Sequence, residues 1–274
     1  MPELPEVETV RRTLEPGLVG QRITKVEPVT GKIIKQPAVC EFCSGLTGRQ
    51  VAQVARRGKY LLVELEGNKC LVVHLRMTGQ FTLVSPEQPR EKHTHVVFTL
   101  SNGRELRYVD PRQFGEMHLL PRDNYASITG LRTIGPEPLG QLFQPEQLYR
   151  NLQGKKSKIK SVLLDQRVVA GLGNIYVDEA LFRAGVNPER PAGTLTVEET
   201  EAVYSAVREV LAEGIEYRGT SIKDYVDGEG KSGSFQNRLK AYGRAGEPCF
   251  SCGSPMAKTK IGGRTTVFCP DCQK

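Results

Sequence analysis

The chain has 274 residues, enough for two domains or two plus a small appendage. Hydrophobic residues at 38% and charged residues at 25% exclude global disorder, and no run approaches the roughly 18 apolar residues of a membrane span. The 38 Lys and Arg against 31 Asp and Glu give a net charge of +7, which points toward an anionic partner without proving one.

The opening MPELPEVETV is acidic and carries two prolines, unlike a secretory or transit peptide, so the expected compartment is the cytosol. Residues 2–20 read as a helix: Leu4, Val7, Val10, Arg11 and Leu14 recur at helical spacing, with the arginine at the edge of the stripe. Glu3, Glu6 and Glu8 fall in its first turns, where the helix dipole favours anions, and Pro16-Gly17 marks its end. From 21 to 125 the texture changes to short apolar runs between turn signals, among them Tyr60–Leu65, Leu71–Leu75, His95–Leu100 and Arg104–Val109. Asn102-Gly103 between the last two is a hairpin signal, and the region reads as a β-rich sandwich or barrel.

Several polar residues sit beside these runs. Lys59, just before a strand, is either a surface lysine or a proton-transfer and phosphate-binding group. HLRM at 74–77 and DPRQFG at 110–115 each follow a strand-like run. Met77 and Phe114 are either core residues or wedges for a base stack, with Arg112 reading an orphaned base edge.

Residues 131–146, rich in Pro and Gly, read as a linker, and a helical region follows. Lys155, Lys156, Lys158 and Lys160 crowd six residues, as a solvated surface or a phosphate contact. Gly171-Leu172-Gly173-Asn174 separates helix-like segments 158–167 and 174–184, with Asn174 a cap for the second and a turn that suits a phosphate. Thr196-x-x-Glu199 is a capping-box pattern opening a helix over about 197–217, and DGEGKSGS at 227–234 reads as a mobile loop.

Cys249-x-x-Cys252 and Cys269-x-x-Cys272, sixteen residues apart, match a four-cysteine zinc site. Four thiolates leave no open position, so the expected cofactor is one structural zinc ion. The metal would fold a short hairpin carrying Lys258, Lys260 and Arg264. Residues 238–274 hold seven basic and two acidic side chains. Cys40-x-x-Cys43 and Cys70 have no second pair nearby and read as ordinary thiols.

Initiator methionine is normally removed before proline, which would leave Pro2 with a free secondary amine. Partly desolvated near cations, such an amine can be a nucleophile; attack on a sugar C1′ would give an iminium, an electron sink for later elimination. Alone, a proline at position 2 carries little weight.

Together these segments resemble the bacterial formamidopyrimidine-DNA glycosylases, which act on 8-oxoguanine. The resemblance covers essentially the whole chain. It rests on PELPEVETVRR at the start, RRGKYL at 56–61, HLRMTG at 74–79, EKHTH at 91–95, DPRQFG at 110–115 and GPEPL at 135–139. It continues through VVAGLGNIYVDEALF at 168–182, YGRAGEPC at 242–249 and the four-cysteine finger. It implies an α+β multidomain fold: an N-terminal β-sandwich with flanking helices over 1–130, a linker over 131–146, a helix–two-turns–helix domain over 147–237 and a zinc finger over 238–274. It also implies damaged duplex DNA as partner, bound in a positive cleft between two lobes, by a monomer.

The implied reaction is base excision through a Pro2 Schiff base, with Glu3 in the acid–base step, then β- and δ-elimination. Matched by motif, Lys59 would serve the first elimination and Arg264 the second. Glu6 would position the damaged nucleoside. His74, His93, Arg112, Lys155, Asn174, Tyr242 and Lys258 would contact DNA, and Met77, Arg112 and Phe114 would fill the gap left by a flipped base. The loop at 219–235 would cover that base.

Three rivals remain. Endonuclease VIII, the sister glycosylase for oxidised pyrimidines, shares Pro2, Glu3 and the finger but typically starts PEGPE, so Leu4, HLRM and DPRQFG favour the purine branch. A non-catalytic zinc-finger DNA-binding protein explains charge and cysteines but not the N-terminal motifs. A tautomerase with an amino-terminal proline is smaller and lacks a finger.

Overall fold

The computed structural model describes residues 1–124 and 127–274, in two compact units: 1–132 with 217–234, and 133–216 with 235–274. Residues 217–234, which lie in the helix–two-turns–helix segment drawn from sequence, pack with the N-terminal residues.

The first unit is the expected sandwich. One sheet has the order β1 (Ile23–Pro28), β7 (Thr94–Leu100), β8 (Glu105–Val109), β6 (Gln80–Val84), all antiparallel. The other runs β2 (Ile34–Gln36), β9 (Glu116–Pro121), β5 (Lys69–His74), β4 (Tyr60–Leu65), β3 (Val51–Arg57), with β2–β9 its one parallel pair. Alternation along the strands sends Leu61, Val63, Leu71, Val73, Met117 and Leu119 to meet Phe81, Val96, Phe98, Leu106 and Tyr108 in one core. Gly103, at φ +82, turns the β7–β8 hairpin where Asn102-Gly103 signals it.

α1 (Leu4–Leu18) lays Val7, Val10, Leu14 and Leu18 on this core. It runs two residues past Pro16, closed by Val19 N–H donating to Glu15 O at 3.0 Å. A second helix, α2 (Val39–Leu46), is absent from the sequence reading; its only buried residues are Phe42 and Leu46, an i, i+4 pair too short to show a period. Cys40 is exposed, Cys43 half-buried, and Cys70 buried with its thiol pushed up to about 12 by burial. A short α3 (Thr129–Arg132) ends the segment.

The second unit contains α4 (Pro145–Leu152), α5 (Ile159–Leu163), α6 (Asn174–Arg183), α7 (Val197–Glu216) and the hairpin β10 (Ala257–Ile261)–β11 (Arg264–Phe268). Val203, Val207, Val210 and Leu211 of α7 are buried, and α6 and α4 pack against that helix. The Thr196–Glu199 capping box forms in both directions, at 2.9 and 3.2 Å. The segment read as helix 158–167 is shorter, because Asp165 accepts the Arg167 N–H and turns the chain after Leu163. The linker residues 133–144 belong to this unit: Gly135 N–H donates to Gln166 O, and a side chain at 135 would meet Arg167 O at 2.5 Å. Among the described residues, no helix is long and apolar enough to cross a membrane.

Candidate active site

In the first unit the start of α1 is a buried acidic platform. Pro2 is buried, Glu3 is 3% exposed and Glu6 2%. Glu3 and Glu6 cap the helix reciprocally, with Glu3 N–H donating to Glu6 Oε2 at 2.8 Å. Glu6 Oε1 accepts the Thr220 N–H at 2.7 Å, and Tyr225 O–H donates to Glu6 O at 3.2 Å. Gly219 has φ +81, and a Cβ there would stand 2.9 Å from Glu6 Cγ, so the contact needs glycine twice over.

The rest of that loop is internally bonded. Asp227, fully buried, pairs with Arg218 and accepts the N–H groups of Glu229 and Lys231 at 2.9 and 3.1 Å. Gly228 N–H donates to Thr13 Oγ1 on α1 at 3.0 Å.

Lys59 sits in the β3–β4 turn and is 6% exposed. The turn is tied to α1 through Arg56, whose Nε donates to Glu8 Oε2 at 3.1 Å and whose other nitrogen donates to Gly58 O at 2.9 Å. His74, at the end of β5, is buried and packs edge-on to Tyr60 at 4.7 Å. Its Nδ1 accepts the Arg76 N–H at 3.0 Å, so Nε2 carries the ring proton. Burial, then the charges of Arg76 and Lys59, push its pKa down to about 3. His74 is therefore a neutral donor and not a cation.

The loops 75–79 and 110–115 form one assembly around Asp110, fully buried. Asp110 Oδ1 accepts the Thr78 hydroxyl at 2.5 Å and the Arg112 N–H at 3.3 Å; Oδ2 accepts the Gly115 N–H at 2.8 Å. Side chains at Gly79 or Gly115 would collide with the Tyr108 hydroxyl, at 2.3 and 1.6 Å. From this frame Met77 and Phe114 project 43% and 48% exposed, with the Arg112 guanidinium 4.7 Å over the Phe114 ring. Neither is a core residue. Among the described residues, three of the five non-glycine residues at positive φ (Arg76, His93 and Gln113) lie in or beside these loops, a concentration of strain expected of a functional surface. His93 is itself exposed.

In the second unit Lys155, Lys156 and Lys158 are exposed, whereas Lys160 is buried against Asp178 at 2.6 Å. The four-lysine cluster is thus three surface lysines and one internal one. Asn174 is the first residue of α6, not its cap; Gly173 is the cap, and Asn174 Nδ2 donates to Thr265 O at 3.0 Å. Tyr242 is half-buried and held through its backbone: Glu179 collects the N–H groups of Lys240, Ala241 and Tyr242 at 2.8–2.9 Å. Lys258 and Arg264 are exposed on the hairpin, whose two-residue turn Gly262-Gly263 has φ +56 and +75.

Thr220, Asp178 and Glu179 are the residues that sequence reasoning passed over, and Asp110 and Lys160 were noted only as members of a motif and a cluster. The signal for two of them was Asp178-Glu179 inside an apolar helical run, since buried acids need partners.

The sulfurs of Cys249, Cys252, Cys269 and Cys272 lie within 4.8 Å of one another, two pairs at 3.9 and 3.5 Å. Tetrahedral zinc with bonds of about 2.3 Å needs sulfurs about 3.8 Å apart, so the four cysteines fit one structural zinc. Cys249 and Cys269 also pack with Phe182, Ala241, Met256 and Val267.

Comparisons with known proteins agree along the chain. Residues 1–117 match the formamidopyrimidine-DNA glycosylase N-terminal domain, 134–226 the H2TH domain of the same enzymes, and 246–274 the zinc finger found in FPG and IleRS. Formamidopyrimidine-DNA glycosylase of Pelotomaculum thermopropionicum is 49% identical over all of this chain and 99% of its own length. That of Heliobacterium modesticaldum is 49% identical, with both chains covered in full. The crystal structure of the MutM (FPG) protein from Thermus thermophilus superposes with a TM-score of 0.90 at 43% identity, covering 99% of this chain and 98% of that one. The Lactococcus lactis Fpg in complex with abasic-site DNA superposes at 0.93 and 39%, covering 99% of each.

Proposed function

This chain belongs to the formamidopyrimidine-DNA glycosylase family, and from that premise we propose that it excises oxidised purines from damaged duplex DNA and cuts the strand at the resulting abasic site. The carrying observation is full-length family identity joined to a Pro2-Glu3-Glu6 platform buried at the start of α1. Removal of Met1 frees the Pro2 amine, which attacks C1′; the bond from C1′ to the base breaks and the base leaves with its electron pair. Glu3 then donates a proton to the ring oxygen O4′, the C1′–O4′ bond breaks to open the sugar, and the nitrogen lone pair closes the C1′ iminium. The iminium draws electrons from C2′ as its proton departs, and the C3′–O bond breaks. Loss of the C4′ proton then breaks the C5′–O bond. Hydrolysis returns the amine.

The first unit supplies this chemistry. Lys59, buried beside the neutral His74, serves the first elimination. Met77, Arg112 and Phe114 occupy the stack vacated by the base, and Glu6 with the Thr220 loop positions the nucleoside. The second unit supplies phosphate contacts from Lys155, Asn174, Tyr242 and Lys258, and Arg264 for the second elimination. His74 and His93 add donors from the first. Zinc, held by the four cysteines, shapes the hairpin and takes no part in the reaction. One copy carries every residue named, which supports action as a monomer, and the bacterial relatives named as DNA glycosylases support a cytoplasmic site of work.

Borohydride trapping tests this reading, with 8-oxoguanine opposite cytosine beside a matched oxidised-pyrimidine duplex. A covalent adduct chiefly with the first is expected, and Pro2→Gly abolishes it while DNA binding persists. An adduct chiefly with the pyrimidine moves the chain to the endonuclease VIII branch. Tight binding with no adduct overturns the amine mechanism.

A further inference from the structure

Lys160 stands out in the second unit because it is fully buried while its three neighbouring lysines are exposed. Three acceptors surround its ammonium: Asp178 Oδ1 at 2.6 Å, Thr266 Oγ1 at 2.8 Å and Thr265 O at 3.0 Å. Around them, Asn174 Nδ2 donates to the same Thr265 carbonyl at 3.0 Å, the Val267 N–H donates to Asp178 Oδ2 at 3.3 Å, and the Thr266 hydroxyl donates to Arg264 O at 3.3 Å. Three consecutive residues of β11, 265 to 267, are thus addressed atom by atom from α5 and α6, and Thr266 in turn holds the Arg264 carbonyl within the strand. Burying a lysine and an aspartate is a poor route to cohesion, since apolar residues of similar volume pack as well or better. What such a pair supplies is register. A one-residue slip of β11 would send Arg264 to the opposite face of the hairpin, and the β10–β11 ladder ends at Arg264 itself, opposite Ile261.

We propose that Lys160 and Asp178 are positioning residues for Arg264, fixing the strand that carries it so that the guanidinium reaches the second elimination. The inference rests on the role given to Arg264 above. It separates two elimination steps that otherwise share one Schiff base: the pair acts on the second and leaves the first to Pro2 and Lys59.

The test uses the full-length zinc-loaded protein on a 5′-labelled duplex with a preformed abasic site, where gels resolve the unsaturated-aldehyde end left by the first elimination from the phosphate end left by the second. Lys160→Met with Asp178→Asn removes both charges together. Thr266→Val removes one acceptor and leaves the ion pair, and Thr266→Ser restores the hydroxyl. The expected result is one zinc per chain throughout, a first elimination within about threefold of wild type, and a second slowed about tenfold or more in the double variant. Thr266→Val falls in between and Thr266→Ser returns to wild type. Arg264→Gln runs alongside. If it loses the second elimination while the other variants keep the wild-type product ratio, the positioning role is overturned and the Arg264 role stands. If it keeps the second elimination, both fall. Loss of zinc with both eliminations in the double variant, with Thr266→Val unchanged, shows a pair that only holds the fold, and overturns the proposal. If the double variant does not fold, the Thr266 pair decides.

Discussion

Glu6 joins Thr220 across 214 residues of sequence, its Oε1 accepting the Thr220 N–H at 2.7 Å while its Oε2 accepts the Glu3 N–H at 2.8 Å. One buried carboxylate therefore fixes both the start of the helix that carries Pro2 and the loop that follows α7. Both partners are donors, so both oxygens must accept.

Glu6→Gln breaks that symmetry. The amide offers one acceptor, and its NH2 group faces an N–H donor that is left unsatisfied, at a cost of about 1–3 kcal/mol. If the loop serves the damaged base, excision of 8-oxoguanine falls about tenfold to a hundredfold while cleavage of a preformed abasic site, which has no base to hold, falls much less. Single-turnover rates on the two substrates check this. Equal losses on both would place the effect at Glu3 and Pro2 instead of the loop.

A parallel case holds for Asp110, whose two oxygens gather the Thr78 hydroxyl and the N–H groups of Arg112 and Gly115. Asp110→Asn again sets an NH2 group against donors and frees the two loops from each other. The expected outcome is a loss of about 1–3 kcal/mol in stability and about tenfold in affinity for lesion-bearing duplex. A fluorescent base placed opposite the lesion reports whether Met77, Arg112 and Phe114 still enter the stack. An unchanged signal would mean that the loops hold their shape without the carboxylate.

These two carboxylates mark the limit of what the chain discloses in one dimension. The sandwich was legible because strand alternation and Asn102-Gly103 are local signals, and the zinc site because four cysteines at fixed spacing have few other uses. The roles proposed for Pro2 and Glu3 come only through resemblance, since acids at a helix start need no catalytic explanation. Asp110 lay inside a motif noted for its neighbours. Thr220 has no side-chain signature, because its backbone makes the contact. Lys160 was read with its neighbours as a solvated surface or a phosphate contact, and its burial escaped both, since it depends on an aspartate eighteen positions on that sequence spacing does not pair with it.

His74 supplies a prediction in pH. Its pKa falls from the usual 6.5 to about 3 in the folded chain, chiefly through burial and then through Arg76 and Lys59. Between those values the unfolded chain binds a proton that the folded one refuses. The stability from this site is therefore full above about pH 6.5 and is lost as pH falls toward 3, on the order of 5 kcal/mol across the window. Denaturant unfolding at pH 8 and pH 5 should show wild type losing more stability than His74→Gln. By NMR the His74 ring shows no titration between pH 5 and 8. A ring titrating near 6.5 would mean that it meets solvent as a cation.

The exposed cations make a different prediction, about salt. Each phosphate neutralised by a lysine or arginine releases counterions, and the slope of log affinity against log salt falls by about 0.9 per contact. Lys155 on the segment before α5 and Lys258 on β10 are both exposed. Lys155→Ala and Lys258→Ala should each flatten the slope by about 0.9, and together by about 1.8, with the loss of affinity equal on lesion-bearing and undamaged duplex. Arg112→Ala should behave otherwise, losing discrimination between the two duplexes, because its guanidinium stacks on Phe114 while its backbone N–H is held by Asp110, the placement proposed above for filling the vacated stack. Fluorescence anisotropy across a salt series on both duplexes separates the two classes. A Lys155→Ala slope identical to wild type would remove that residue from the phosphate contacts, and an Arg112→Ala variant that weakened both duplexes alike would make it one more phosphate contact.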